Sequence, residues 1–235
     1  TLAVISSWDF PTGAMFLLLA AALQTWRNRA RLRADWLASL APMFAVLLVI
    51  PVSLLLYRPF FAAFSRKGMG IGLVRALTTP LPGFLTMFGF FLFVILSWLA
   101  WRAARQKARR PQAAFGALIV VLGIIAFAAP RIGGADRATL LFALALAGFS
   151  AIILFRRVRV GHADRFAWLC LCYACLIVAG CEIIFIRDFL QGGEYKRMNT
   201  IFKFYLPVWF LLSIAAAYGV ARIAARFVSR KRARP

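Results

Sequence analysis

Long apolar runs, spaced by short basic clusters, constrain this chain more than any other feature. The run Trp36–Leu56, WLASLAPMFAVLLVIPVSLLL, holds no charged residue. A membrane-spanning helix needs roughly 20 apolar residues. Seven segments meet or approach that length: Thr12–Trp26, Trp36–Leu56, Gly83–Trp101, Ala113–Ala129, Ala138–Phe155, Phe166–Ile186 and Phe204–Phe227. The first and fourth are short. Within a bilayer every backbone N–H and C=O must be paired internally, so only helices and closed barrels can cross it. These runs are continuous and lack the alternation of barrel strands. Composition agrees, with 63% of residues hydrophobic against about 45–50% in soluble domains. The expected fold is all-α, a polytopic transmembrane helix bundle forming one integral-membrane domain over residues 1–235. A long loop separates spans two and three. The opening "TLAVISS" reads as the tail of an earlier helix, so the sequence is expected to be a fragment whose N-terminal spans are missing.

The charges set the expected orientation. The net charge is +22, a balance often seen in nucleic-acid binders. Here the basic residues lie in clusters between apolar runs, which is the pattern of topology signals and excludes nucleic acid as the partner. "RNRARLR", "WRAARQKARRP", "RRVRVGHADR" and the tail from Arg222 to Arg234 carry most of the 29 Lys and Arg. They follow spans one, three, five and seven. The positive-inside rule then makes them cytoplasmic. The expected location is the cell membrane, multi-pass, with Thr1 outside and the C-terminus in the cytoplasm. Asp9, Asp136, Glu182, Asp188 and Glu194 fall on or near the outer side, so chemistry is expected there.

Three outer segments could carry it. In "SSWDFPT", Trp8 is an interfacial anchor by type and Pro11 suits a first helical turn. Asp9 precedes that turn, where the helix dipole favours a carboxylate. The loop from Tyr57 to Gly83 mixes Phe60, Phe61 and Phe64 with Arg58, Arg66 and Lys67, a composition suited to the membrane interface. Its "GMGIG" has no preceding strand and is no dinucleotide fingerprint.

The third segment is "GGEYKRMNTIFKFY", which leads into the last span. Glu182 lies about one turn before the outer end of span six. A carboxylate there needs a cationic partner or water, and Arg187, Arg197 or Lys203 could serve. If a helix starts near Gly193, then Lys196, Asn199 and Lys203 share one face. Pro207 continues that face and frees the carbonyl of Lys203. Two cations and an amide at that depth suit an anion, and a lipid-linked phosphate is the obvious one. Snorkelling of the cations to the headgroups is the plainer alternative.

Other chemistries have no matching motif. Cys170, Cys172, Cys175 and Cys181 all lie within one apolar run and read as small hydrophobic residues rather than metal ligands. His162 is the single histidine, so HExxH sites and His-based triads are absent. There is no Walker A motif, pore filter or internal repeat. The cofactor is unknown: a divalent metal is compatible with the carboxylates, but no metal motif occurs.

"SSWDFPT", "YRPFFAAFSRKGMGIGLVRALTTPLPGFLTMFGFFLF" and "IRDFLQGGEYKRMNTIFKFY" resemble, in order and spacing, elements of the DUF2298 or YYY membrane protein family. Those elements read "NTWDFPTY", "PFY…GIG…T" and "RMNTVFKFY". The resemblance runs from Ser6 to about Tyr218. The last motif is the most specific of the three. This chain departs from the pattern at Ser6-Ser7, Gly13 and Pro207. The family resembles GT-C class glycosyltransferases, which take sugars from polyprenyl-phosphate donors at the outer membrane face. The resemblance implies an acidic, His-containing element upstream of Thr1. It also implies phosphate-binding roles for Lys196, Arg197, Lys203 and Arg58, with Asn199 orienting the group. Asp9, Glu182 and Asp188 become candidates for sugar hydroxyls, an acceptor or a metal. A transporter or flippase of a lipid-linked or anionic solute is the alternative, and a non-catalytic membrane scaffold is a third reading.

Overall fold

A computed structural model describes residues 9–27, 35–63, 70–75, 77–105, 109–128, 137–155, 161–187 and 193–232. Helices occupy all seven predicted spans: α1 (Asp9–Arg27), α2 (Trp36–Leu56), α4 (Leu81–Ala104), α5 (Arg109–Ala128), α6 (Ala138–Phe155), α7 (His162–Ile183) and α8 (Met198–Arg232). Among the described residues, five of these (α2, α4, α6, α7 and α8) are long and apolar enough to cross a membrane. The chain is an all-α polytopic bundle.

Three local features differ from the expectation. The loop after α2 contains a short helix, α3 (Arg58–Ala63), and a strand, β1 (Gly70–Leu73). Span six ends three residues early, at Ile183, and continues as strand β2 (Ile184–Arg187), which pairs with β1. The Ile-Ile-Phe-Ile sequence explains this, because β-branched and aromatic residues favour a pleated, half-buried strand once an edge is available. Thirdly, the last helix begins before Phe204. A 3-10 turn (Gly193–Arg197) leads directly into α8, which runs on through Pro207. Gly193 takes the left-handed conformation that opens this turn, with φ +59°.

The chain divides into two compact units. The first spans Thr1–Gly70 and Arg187–Phe189. In it α1 packs on α2, and Thr25 donates to the Ser39 carbonyl at 3.1 Å. Asp35 caps α2 by accepting from the Ala38 amide at 3.0 Å, which satisfies one of the helix's first donors. Much of α2 is exposed, including Leu47, Leu48, Val52, Leu55 and Leu56. An apolar face of this kind suits lipid.

The second unit spans Ile71–Ile186 and Leu190–Pro235. Helix α7 is its centre, packed between α6 and α8, while α8 also packs on α4. Lipid removes the hydrophobic drive between helices, so small residues that permit close approach take its place. Helix α7 buries Ala167, Cys170, Ala174, Cys175 and Ala179, and α6 presents Ala143, Ala147 and Ser150 to the core. All four cysteines are free and buried. Cys172 donates a weak bond to the Ala147 carbonyl at 3.5 Å, so these residues serve the α6–α7 contact. Aromatic rings fill the wider gaps. Trp98 meets Trp168 with ring centroids 5.6 Å apart, and Phe88 meets Tyr205 at 5.3 Å.

Gly219 on α8 faces Trp98 on α4. A Cβ at position 219 would lie 3.0 Å from Trp98 Cβ and 3.3 Å from its Cγ. Gly219→Ala should therefore destabilise the protein by about 1–3 kcal/mol in a detergent unfolding assay. Gly116→Ala, where a Cβ meets nothing within 4 Å, should be neutral or slightly stabilising. Equal stability of the two variants would refute this account of the α4–α8 contact.

Candidate functional site

The C-terminal end of α7 sets the geometry of the site. A helix leaves its last carbonyls without intrahelical donors, and apolar surroundings supply none. Here the first of them is met locally and the other three receive donors from distant parts of the chain. The Ile184 amide bonds the Gly180 carbonyl. Arg197 Nη2 donates to the Cys181 carbonyl at 2.5 Å, and Arg137 Nη1 to that of Glu182 at 3.3 Å. The Val74 amide donates to Ile183 at 2.9 Å. Val74, the residue before α6, the end of α7 and the turn into α8 are thereby tied together.

Glu182 sits inside this knot with only 1% of its surface exposed. Its Oε1 accepts from the Thr79 hydroxyl at 2.6 Å and from Arg197 Nη2 at 2.7 Å, and its Oε2 accepts from the Thr79 amide at 3.0 Å. Arg197 is 6% exposed, and its Nη1 donates to the Leu77 carbonyl. Leu77 is held at φ +59°, a left-handed conformation that costs a branched residue energy. The bond from Arg197 helps to keep it there. Arg197 Nε is buried and finds no acceptor among the described residues. A second layer completes the knot. Thr139 donates to the Thr79 carbonyl at 2.7 Å, and the Tyr205 hydroxyl reaches Thr79 Oγ1 at 3.4 Å. Arg137 Nη2 bonds the Val74 carbonyl at 3.3 Å. Thr200 accepts from the Ile186 amide at 2.9 Å and so joins α8 to β2.

Of the site residues expected from sequence, the fold brings Glu182 and Arg197 into direct contact. Lys196 is exposed on the 3-10 turn, with Nζ 5.1 Å from the centre of the Phe185 ring, a cation–π contact that anchors its stem. Asn199 and Lys203 are half-buried on the first turns of α8, spaced to share a face. Asp9 is the first residue of α1, half-buried, and Arg58 is the first residue of α3, exposed; both belong to the first unit. Asp188 lies outside the described residues. Among the described residues no group of three or more His, Cys, Asp or Glu is placed to hold a metal.

Sequence reasoning missed Thr79, Arg137, Thr139 and Tyr205. One signal was available. A carboxylate at a membrane helix end needs several donors, and Thr79 and Arg137 each stand just before an apolar run on the same side of the expected membrane.

The ion pair generates a prediction. Removing one partner leaves a buried charge uncompensated, which costs about 3–5 kcal/mol. Arg197→Met and Glu182→Leu should each destabilise the detergent-purified protein strongly. The double variant should be more stable than the sum of the two losses implies, with a coupling of about 1–3 kcal/mol. Additive losses in thermal unfolding would show that the two side chains act separately.

No curated protein and no solved structure matches this chain. A family model described as "Uncharacterized membrane protein (DUF2298)" matches residues 1–212, and the chain, a multi-pass membrane protein, belongs to that family.

Proposed function

We propose that the Glu182 end of the second unit binds the phosphate of a lipid-linked donor. In this reading the chain is the membrane-embedded part of a GT-C-like glycosyltransferase that uses a polyprenyl-phosphate-linked sugar at the outer membrane face. The observation that carries the reading is how the turn into α8 divides its side chains. Arg197 and Thr200 are buried, while Lys196 is exposed and Asn199 and Lys203 are half-buried. Two cations and an amide thus stand on the less buried side of a helix start. The buried pair beneath them fixes the backbone that carries them.

The chemistry follows from that division. Charge-assisted contacts to a phosphate are strong, and they strengthen where water is scarce. Lys196 and Lys203 take the phosphate oxygens and Asn199 orients the group. The N-terminus of α8 adds its dipole to theirs. When the bond to the sugar breaks, charge builds on the departing phosphate, and cations already in place stabilise it without reorganising. Arg197 and Glu182 act here as positioning residues, because both Nη atoms of Arg197 and both carboxylate oxygens of Glu182 are engaged inside the knot. Asp9 and Asp188 are proposed for a sugar hydroxyl, an acceptor or a metal, and Arg58 for phosphate, on the resemblance of their motifs alone. The outer-face assignment is supported by charge: the opposite end of α8 carries Arg222, Arg226, Arg230, Lys231 and Arg232.

Purified full-length protein tests this directly. The double variant Lys196→Gln/Lys203→Gln should bind a polyprenyl-phosphate sugar at least about tenfold more weakly, with an unchanged unfolding temperature. Unchanged affinity would sink the proposal. Movement of the lipid across proteoliposomes without sugar transfer would favour the flippase reading instead.

A further inference from the structure

A second polar cluster lies at the other end of α7, and the lipid-linked donor gives it no role. Its centre is Asp164, in the first turn of α7. One carboxylate oxygen accepts from Arg102 Nη1 at 2.7 Å, and the other accepts from the Tyr218 hydroxyl at 2.5 Å. Arg222 Nε stands 3.6 Å from that second oxygen. Each carboxylate oxygen thus accepts one hydrogen bond, and the single negative charge offsets only one of the two guanidinium charges around it. Arg222 is still 51% exposed along its side chain, whereas Arg102 is 23% exposed. A third guanidinium stands close in sequence, on the exposed end of α4. Arg105 lies over the Trp101 ring, 4.7 Å from its centre.

The depth of this cluster identifies the ligand. At about 1.5 Å per residue, Asp164 and Glu182 are roughly 27 Å apart along α7. The hydrocarbon core of a bilayer is about 30 Å thick. The Asp164 cluster therefore sits at a headgroup boundary. Trp101 beside it is of the type that favours that boundary. An excess of fork-shaped guanidinium donors at headgroup depth suits a phosphodiester.

We propose that Arg102, Arg105 and Arg222 form a binding site for the headgroup of an anionic phospholipid at the ends of α4 and α8. Asp164 and Tyr218 act as its positioning residues. Asp164 holds Arg102 and Arg222 at one carboxylate, so their remaining N–H groups can converge on a single phosphate. Trp101 supports Arg105 and covers the upper acyl chain. This site is independent of the donor site at the far end of α7.

The probe is phosphatidylglycerol, titrated into detergent-purified full-length protein and followed by native mass spectrometry and thermal unfolding. Phosphatidylglycerol should be retained and should raise the unfolding temperature, while phosphatidylcholine should do neither. Arg222→Gln and Arg105→Gln should each weaken retention roughly fivefold, as expected for one cation at a membrane surface. Arg222→Lys, which keeps the charge but loses the fork, should recover only part of it. Glycerol phosphate and inorganic phosphate should give no shift at the same concentrations. A shift with either would make the ligand a soluble phosphate and overturn the lipid assignment. Equal retention of the two phospholipids, or Gln variants that bind like the parent protein, would overturn the site. Should a variant fail to fold, the comparison of the two phospholipids on the parent protein decides alone.

Discussion

A helix that ends among apolar neighbours must find donors for its last carbonyls, and much of the second unit follows from how α7 meets that demand. The donors come from Ile184, Arg197, Arg137 and Val74. Ile184 simply continues the chain, but the other three belong to different stretches, so meeting the demand also assembles the bundle's end. Glu182 then becomes tolerable there. Without Arg197 and Thr79 its charge would be buried unpaired, and no membrane helix sustains that cheaply. Arg197 serves both requirements at once, giving one nitrogen to a carboxylate and a carbonyl and another to Leu77.

The same device recurs at the far end of α7 with a different balance. Asp164 and Glu182 each draw an arginine from another helix or turn. At Glu182 the arginine is buried and the pair is enclosed. At Asp164 two arginines compete for one carboxylate, and one of them remains half in solvent. Enclosure suits a part that holds other residues in place. Surplus charge suits a part that meets something charged. The two carboxylates thus share a role in packing and differ in what they leave available.

Much of this architecture was legible in the sequence, because span length and charge clusters act over long windows that single residues hardly disturb. All seven helices fall where the apolar runs place them, and the pairing of Glu182 with a nearby arginine follows from the cost of an isolated charge. The β1–β2 pair was not legible. "GIGL" and "IFIR" are short, and they become strands only because each supplies the other's edge. Thr79, Arg137 and Thr139 were likewise hidden. Their partners lie 103, 45 and 60 positions away along the chain, and no local pattern encodes such distances. Helical spacing in the sequence groups Lys196, Asn199 and Lys203 on one face; in the structure Asn199 and Lys203 lie on α8, while Lys196 lies on the 3-10 turn before it. That Arg197 turns away from that face required the 3-10 geometry of the preceding turn.

Gly219 gives α8 a notch into which Trp98 fits. A helix is a stiff rod with a fixed angular step per residue, so locking one position locks the angular phase of all the others. The helix cannot roll about its axis without driving backbone or Cα into the Trp98 indole. Four turns and more away, the same phase decides which side chains of the first turns of α8 point outward and which point in. The side of α8 that carries Asn199 and Lys203 at one end of the bundle is thus indexed by a contact near the other, much as the teeth of a key are set by the slot that holds its shaft.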